Sequence, residues 1–283
     1  MPNIPALTVP MVRARTRANG AEPLVMVTAY DAPGARMVAD GGADLILVGD
    51  SLAMVVLGYD DTLQVTVDDM AHHTAAVARG LASWTPQVAD PNGRAARKPL
   101  VVGDLPWLSY HLGTDDAVRN AAALIRAGAQ SVKLEGGAKR VPVIEAIVDA
   151  EIPVMGHLGL TPQSMHAMGG FKVQGKETEA ALALVLEGVP EQVATLVTEA
   201  VGIPTIGIGA GAGCDGQVLV FHDLLGLEDR MAPKFVRRYA ALRGDGVAAI
   251  AAFADDVRSG AFPSAAETYH LSDDVAEELR LYG

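Results

Sequence analysis

A rhythm constrains the fold of this chain more than any other feature. Eight short runs rich in Val, Ile and Leu, each bounded by Pro or Gly, alternate with Ala-rich stretches of helical spacing. The runs lie at 23–31, 43–51, 98–106, 130–137, 152–160, 181–190, 203–211 and 216–223. They are continuously apolar, without polar alternation, as strands buried on both faces must be. The intervening segments 114–128, 190–202 and 235–258 read as helices. The first of these opens with Thr114 and two acids and ends at Gly128. Repeated βα units with eight strands predict an α/β fold of the (βα)8, TIM-barrel type, and a doubly wound open sheet is the alternative.

The chain has 283 residues, half of them hydrophobic, enough for one barrel domain spanning 1–283. Residues 1–20 read as an arm beneath that barrel or an oligomer contact, and the C-terminal part reads as further helices. Residues 81–99 carry three prolines and a polar run and read as an extended surface loop. A net charge of −12 argues against nucleic acid and anionic membrane surfaces as partners. A single cysteine, Cys214, permits no internal disulfide. With no signal-like N-terminus and no apolar run of spanning length, a cytoplasmic location is expected.

In a parallel barrel the active site lies at the C-terminal ends of the strands. Four such ends carry carboxylates: Asp50, Asp104, Glu135 and Glu187. A lone acid there is as readily a helix cap. Four that converge repel one another unless they share a cation, and hard oxygen donors suit Mg²⁺. Lys133 precedes Glu135 by two residues, so on a strand both face the same way. His157, within Gly156-His157-Leu158-Gly159, either lines the site as a hydrogen-bonding group or is structural. His72, His73, His166 and His222 read as structural or surface groups. The stretch GIGAGAGCDG (207–216) leads into a strand rather than a helix, which suits a tight turn better than a dinucleotide loop.

Several of these segments are long and unusual: VGDSL (48–52), GDLP (103–106), VKLEGG (132–137), GHLGLTPQS (156–164), GGFKVQG (169–175), VLEGVP (185–190) and IPTIGIGAGAGCDGQVLVFHD (203–223). In that order they resemble the ketopantoate hydroxymethyltransferase family. The resemblance implies transfer of a one-carbon unit from 5,10-methylenetetrahydrofolate to 3-methyl-2-oxobutanoate, giving 2-dehydropantoate through an Mg²⁺-stabilised enolate. It implies that Asp50, Asp104 and Glu135 hold Mg²⁺, that Asp50, Ser51, Asp104 and Lys133 contact the keto acid, and that Glu187 is the general base. His157 is expected to line the same site. Partners would be small molecules and further copies of the chain, by resemblance a decamer. Between GGFKVQGK (169–176) and ALALVLEGVP (181–190) the chain is short by about one helix, so the barrel is expected to lack or remodel an outer helix between its fifth and sixth strands, with the wall there open or remodelled. Two other readings compete: a related Mg²⁺-dependent barrel that cleaves or rearranges C–C bonds of 2-oxo acids, and a non-catalytic keto-acid-binding barrel.

Overall fold

A computed structural model describes residues 4–87, 95–160, 163, 181–230, 232–272, 274–275 and 279. Eight parallel strands close into a barrel in sequence order. They are β1 Leu24–Thr28, β2 Leu45–Val48, β3 Leu100–Asp104, β4 Ser131–Glu135, β5 Val154–Gly159, β6 Ala181–Glu187, β7 Thr205–Ile208 and β8 Gly216–Leu219. The barrel shuts where β8 pairs with β1, from Leu24↔Gly216 to Val27↔Leu219. Gly216 is needed at that seam, because a Cβ there would sit 2.5 Å from the Leu24 carbonyl oxygen.

The period of two explains both the core and the site. On β2, Leu45 and Leu47 join one buried cluster and Ile46 and Val48 another. The first cluster fills the barrel, with Leu24, Met26, Leu100, Val102, Met155, Val185 and Ile206. The second fills the layer between sheet and helices, with Val38, Val77, Leu124, Val132 and Ile147. Both faces of β2 are therefore apolar, and this is why its run shows no alternation; β4 differs, with Ser131, Lys133 and Glu135 alternating with Val132 and Leu134. The helical layer is built from α2 Ala32–Asp40, α4 Val67–Ala82, α5 Thr114–Arg126, α6 Val141–Asp149 and α7 Glu191–Ala200, with the single turns α3 Leu52–Val55 and α8 Phe221–Leu224. α4 starts from a full capping box between Thr66 and Asp69.

The short helix α1, Val9–Arg13, closes the barrel from below. Leu7 and Val12 are buried in the same cluster as the inward side chains. Arg15 pairs with Asp44 at 2.6 Å, and the Arg17 N–H donates to Asp215 at 2.6 Å.

Three sequence expectations change. The wall between β5 and β6 is closed, with pairing from Val154↔Ala181 to Gly159↔Glu187. Closure depends on strand-to-strand hydrogen bonds, which an outer helix does not supply. The shortened segment itself, with GGFKVQG, falls in 161–180, of which only Gln163 is among the described residues. The stretch at 81–99 is not loop throughout: α4 runs to Ala82, and buried Trp84 donates from Nε1 to Asp40 at 2.9 Å. Residues 88–94 of it lie outside the described residues. Helix α9 spans Leu242–Ser259 rather than starting at 235. Residues 233–241 are held by tertiary contacts instead: Phe235 packs against the barrel cluster, and the Tyr239 N–H donates to the Leu224 carbonyl at 2.8 Å.

Candidate active site

Following the inward rows up each strand gives the site directly. On β3 the row reads Leu100, Val102, Asp104; on β4 it reads Ser131, Lys133, Glu135. On β5 it ends in His157, and on β6 Ala183 and Val185 lead to Glu187. Apolar side chains fill the lower barrel, and charged ones arrive together at the C-terminal mouth. Asp50 follows β2 in the turn that starts α3. These groups line a cavity of ≈ 550 Å³, together with Thr28, Ser51, Ile208 and Val218. That volume falls within the range of small-molecule sites.

All the site residues expected from the sequence meet here. Lys133 is the central cation. Its Nζ lies 2.7 Å from Asp104 Oδ2 and 3.9 Å from Glu135 Oε1. Asp104 Oδ2 also accepts the Asp50 N–H at 3.2 Å, while Asp104 Oδ1 is buried with no partner. His157 stands between two acids, with Nδ1 3.1 Å from Glu135 Oε1 and Nε2 3.3 Å from Glu187 Oε2. Ser51 Oγ is 2.9 Å from the Tyr30 hydroxyl. Glu187 is fixed by its neighbour strand: Gly159 has φ +105, and a Cβ there would sit 2.1 Å from the Glu187 carbonyl oxygen. Among the described residues, no three His, Cys, Asp or Glu side chains form a group that could hold a metal ion unaided.

The electrostatics follow from burial and proximity. Burial, then the charge of Asp104, pushes the Asp50 carboxyl up to about 8. Burial raises Asp104 as well, against the pull of Lys133. Burial opposes the charge of Lys133, but Asp104, Glu135 and Asp50 together hold its ammonium far above the ordinary lysine value. Glu135 is partly desolvated, yet the His157 hydrogen bond and charge bring it below the usual glutamate value. His157 moves the other way, to about 9: burial and Lys133 disfavour its proton, and the flanking Glu135 and Glu187 outweigh them.

Sequence reasoning missed some of the site. Tyr110 and Gln163 sit beneath the carboxylates, where Gln163 Nε2 donates to Asp50 Oδ2 at 2.8 Å. Asp223, Glu228, Arg230 and Phe235 line the outer cavity. Gln163 lies inside the quoted GHLGLTPQS segment and Asp223 ends the quoted 203–223 segment, so a signal was present for both; Tyr110, Glu228, Arg230 and Phe235 come from irregular loops with no periodic mark. The Tyr30 carbonyl lies 2.6 Å from His73 Nδ1, and the Tyr30 ring packs near His222, consistent with structural roles for both histidines.

Comparison with known proteins gives two levels of likeness. Solved barrels share the fold at 16% identity: a 2,3-dimethylmalate lyase (TM-score 0.53, covering 98% of each chain) and a phosphoenolpyruvate phosphomutase from Streptomyces platensis (TM-score 0.53, 94% of each). Sequence likeness is far closer elsewhere. A protein named 3-methyl-2-oxobutanoate hydroxymethyltransferase from Oleidesulfovibrio alaskensis is 50% identical, over 95% of this chain and 92% of that one. Proteins of the same name from Methylobacterium sp. and Koribacter versatilis are 50% and 47% identical, covering 96% and 92% of this chain and 94% and 88% of theirs. The sequence pattern described as ketopantoate hydroxymethyltransferase matches residues 7–265, from the arm beneath the barrel to beyond α9. The lyase and mutase likeness is therefore one of architecture, and the chain belongs to the ketopantoate hydroxymethyltransferase family.

Proposed function

We propose that the protein transfers a hydroxymethyl group to 3-methyl-2-oxobutanoate, with 5,10-methylenetetrahydrofolate as one-carbon donor and water as source of the hydroxyl oxygen, giving 2-dehydropantoate. One observation carries the reading. A buried carboxylate oxygen without a partner, Asp104 Oδ1, lies beside Asp50 and Lys133 in the cavity that Glu187 also lines.

A divalent cation such as Mg²⁺ fits this donor set. Four carboxylates here face one ammonium and one imidazolium, so with all six groups charged the site is two negative charges in excess. A cation on Asp104 Oδ1 and Asp50 would satisfy the free oxygen and favour the ionised form of Asp50. Two aspartates plus substrate oxygens make a donor set that suits Mg²⁺, which keeps few protein ligands. Glu135, the third expected ligand, has Oε1 facing His157 and Oε2 accepting the Gln163 N–H at 3.2 Å, so it would reach the cation through its remaining lone pairs. When bound, the cation supplies positive charge where the keto oxygen becomes electron-rich.

The remaining roles belong to the chain. Lys133 adds a fixed positive charge beside the same oxygens, held by Asp104. Ser51, backed by Tyr30, offers a hydroxyl to the substrate carboxylate. Glu187 is the base that removes the C3 proton, and His157 orients its carboxylate from the side. The carbon so activated bonds to the folate methylene carbon as one of its two carbon–nitrogen bonds breaks, water then replaces the second nitrogen to leave the hydroxymethyl group, tetrahydrofolate departs with its nitrogens protonated, and no protein nucleophile is required. Ile208, Val218 and Phe235 give the cavity an apolar wall suited to the substrate methyl groups and exclude water from them.

Incubation with Mg²⁺ and 3-methyl-2-oxobutanoate in deuterated water, without folate, tests this. Exchange of the C3 proton is expected, and a chelator should abolish it. A wild-type protein that fails to exchange would refute the base and metal roles together.

Assembly with further copies of the chain is part of the same proposal. α9 buries none of its 18 residues, and Val247, Ile250, Phe253 and Val257 form an exposed stripe along one side of it. A second copy is the occupant proposed for that stripe. Sedimentation should show an oligomer, and Ile250→Asp with Phe253→Asp should shift it to smaller species. An unchanged size would remove α9 from the interface.

A further inference from the structure

Beneath the carboxylates lies a hydrogen-bonded chain that the roles above do not use. It starts at the β4 backbone, where the Glu135 N–H donates to the Tyr110 hydroxyl at 3.2 Å. The hydroxyl donates onward to Gln163 Oε1 at 2.7 Å. On the other side of the amide, Gln163 Nε2 donates to Asp50 Oδ2 at 2.8 Å and to the Leu105 carbonyl at 3.1 Å. The Gln163 backbone N–H donates to Glu135 Oε2 at 3.2 Å. Gln163 and Tyr110 are both buried, at 7% and 1% exposure.

The chemistry of the partners orients the amide without ambiguity. A carbonyl can only accept, so the group facing Leu105 must be the NH₂. The Tyr110 oxygen already accepts from Glu135, so its proton goes to the amide oxygen. The chain thus has one direction, and it delivers an N–H donor to a single oxygen of Asp50. That leaves Asp50 Oδ1 as the oxygen on which Gln163 makes no demand. The same residue holds Glu135 through its backbone. Two strand-end carboxylates from β2 and β4, 85 positions apart in sequence, are thereby clamped to one side chain and its amide nitrogen.

We infer that Gln163, anchored by Tyr110, is a positioning residue for the divalent cation: it fixes which oxygen of Asp50 is turned toward the metal. The inference rests on the metal reading above. Groups that orient ligands in this way typically change metal affinity by about 10–100-fold when removed.

The test uses Mn²⁺ as probe on the full-length metal-free protein, reading Kd by electron paramagnetic resonance and folding by thermal melting. Gln163→Met keeps the length and removes donor and acceptor, and should weaken Mn²⁺ binding about tenfold or more. Tyr110→Phe leaves the Nε2 donor but frees the amide to turn, and should weaken binding by a smaller factor with little change in melting. If Gln163→Met proves unstable, Tyr110→Phe still decides the matter. In an Asp50→Asn background, Gln163→Met should change Kd by less than about twofold, because the route runs through Asp50. Wild-type affinity in both single variants, or a full tenfold effect persisting without the Asp50 carboxylate, would overturn the inference alone. Failure of the wild-type protein to bind Mn²⁺ would sink the metal reading and this inference with it.

Discussion

The two halves of the barrel mouth differ sharply. From β2 to β6 the mouth is charged: Asp50 stands just beyond β2, and the inward rows of β3 to β6 end in Asp104, Glu135, His157 and Glu187, with Lys133 one step below Glu135. From β7 to β1 they end in Ile208, Val218 and Thr28. The strands share one geometry, so the difference lies in the identity of the last one or two inward residues. The charged half can polarise a substrate and move a proton. The uncharged half contributes shape and dryness, and dryness strengthens every charge interaction across the cavity. A barrel mouth charged all round would have to be solvated.

The largest break in this contrast should come from Lys133→Met. It removes the ammonium that three carboxylates share, leaving Asp104 and Glu135 buried without it. Loss of C3 exchange is expected together with a stability loss of about 3–5 kcal/mol, the range seen when a buried pair loses one member. Chemical denaturation measures it, and a wild-type midpoint would mean the charges are better solvated than their burial implies. Glu187→Gln comes next and should separate rate from stability. Exchange should fall by about 10²–10⁴-fold, the usual contribution of a general base, with the melting temperature little changed because the side chain is 16% exposed. Exchange within tenfold of wild type would assign the proton to another group.

On the apolar half the order reverses. Ile208→Ala should reduce stability by about 2–4 kcal/mol, through lost burial and a cavity, while exchange per folded molecule stays within about threefold. A collapse in exchange would show that this wall does more than pack. The smallest effect belongs to Ile206→Val, one inward step lower on β7 and 0% exposed, at about 1 kcal/mol with kinetics unchanged. A kinetic effect there would extend the site deeper than the described cavity.

Much of this was legible in the sequence because strands impose a period. The eight apolar runs coincide with the eight strands, and the acids at their ends coincide with the charged half of the mouth. Asp50, Asp104, Lys133, Glu135, His157 and Glu187 are all at or just beyond strand ends, where position implies direction. Tyr110, Arg230 and Phe235 belong to loops and Gln163 lies off the strands, where it does not. Gln163 faces Asp50 because of the folded path of the whole barrel, and no local spacing encodes that. Of the two alternatives for the wall, open or remodelled, the open one fails for a related reason. It rests on the length of a connection, whereas closure depends on the edges of β5 and β6, whose residues were already in view. A helix start at 235 follows from the apolar character of Phe235, which a helix or a cavity wall can use equally well; the side chain lines the cavity, and α9 begins at Leu242.

The rows of β4 carry one more consequence. Lys133 and Glu135 face the cavity while Val132 and Leu134 face the helices, so site and outer layer are interleaved along a single stretch of five residues. Deleting or inserting one residue near the start of that strand would be a phase error. It would swing both charges into the apolar layer and both aliphatic side chains into the mouth at once. The strand therefore tolerates substitution far better than a change of length. Variation in chain length, such as that between β5 and β6, can be absorbed only in connections outside these rows.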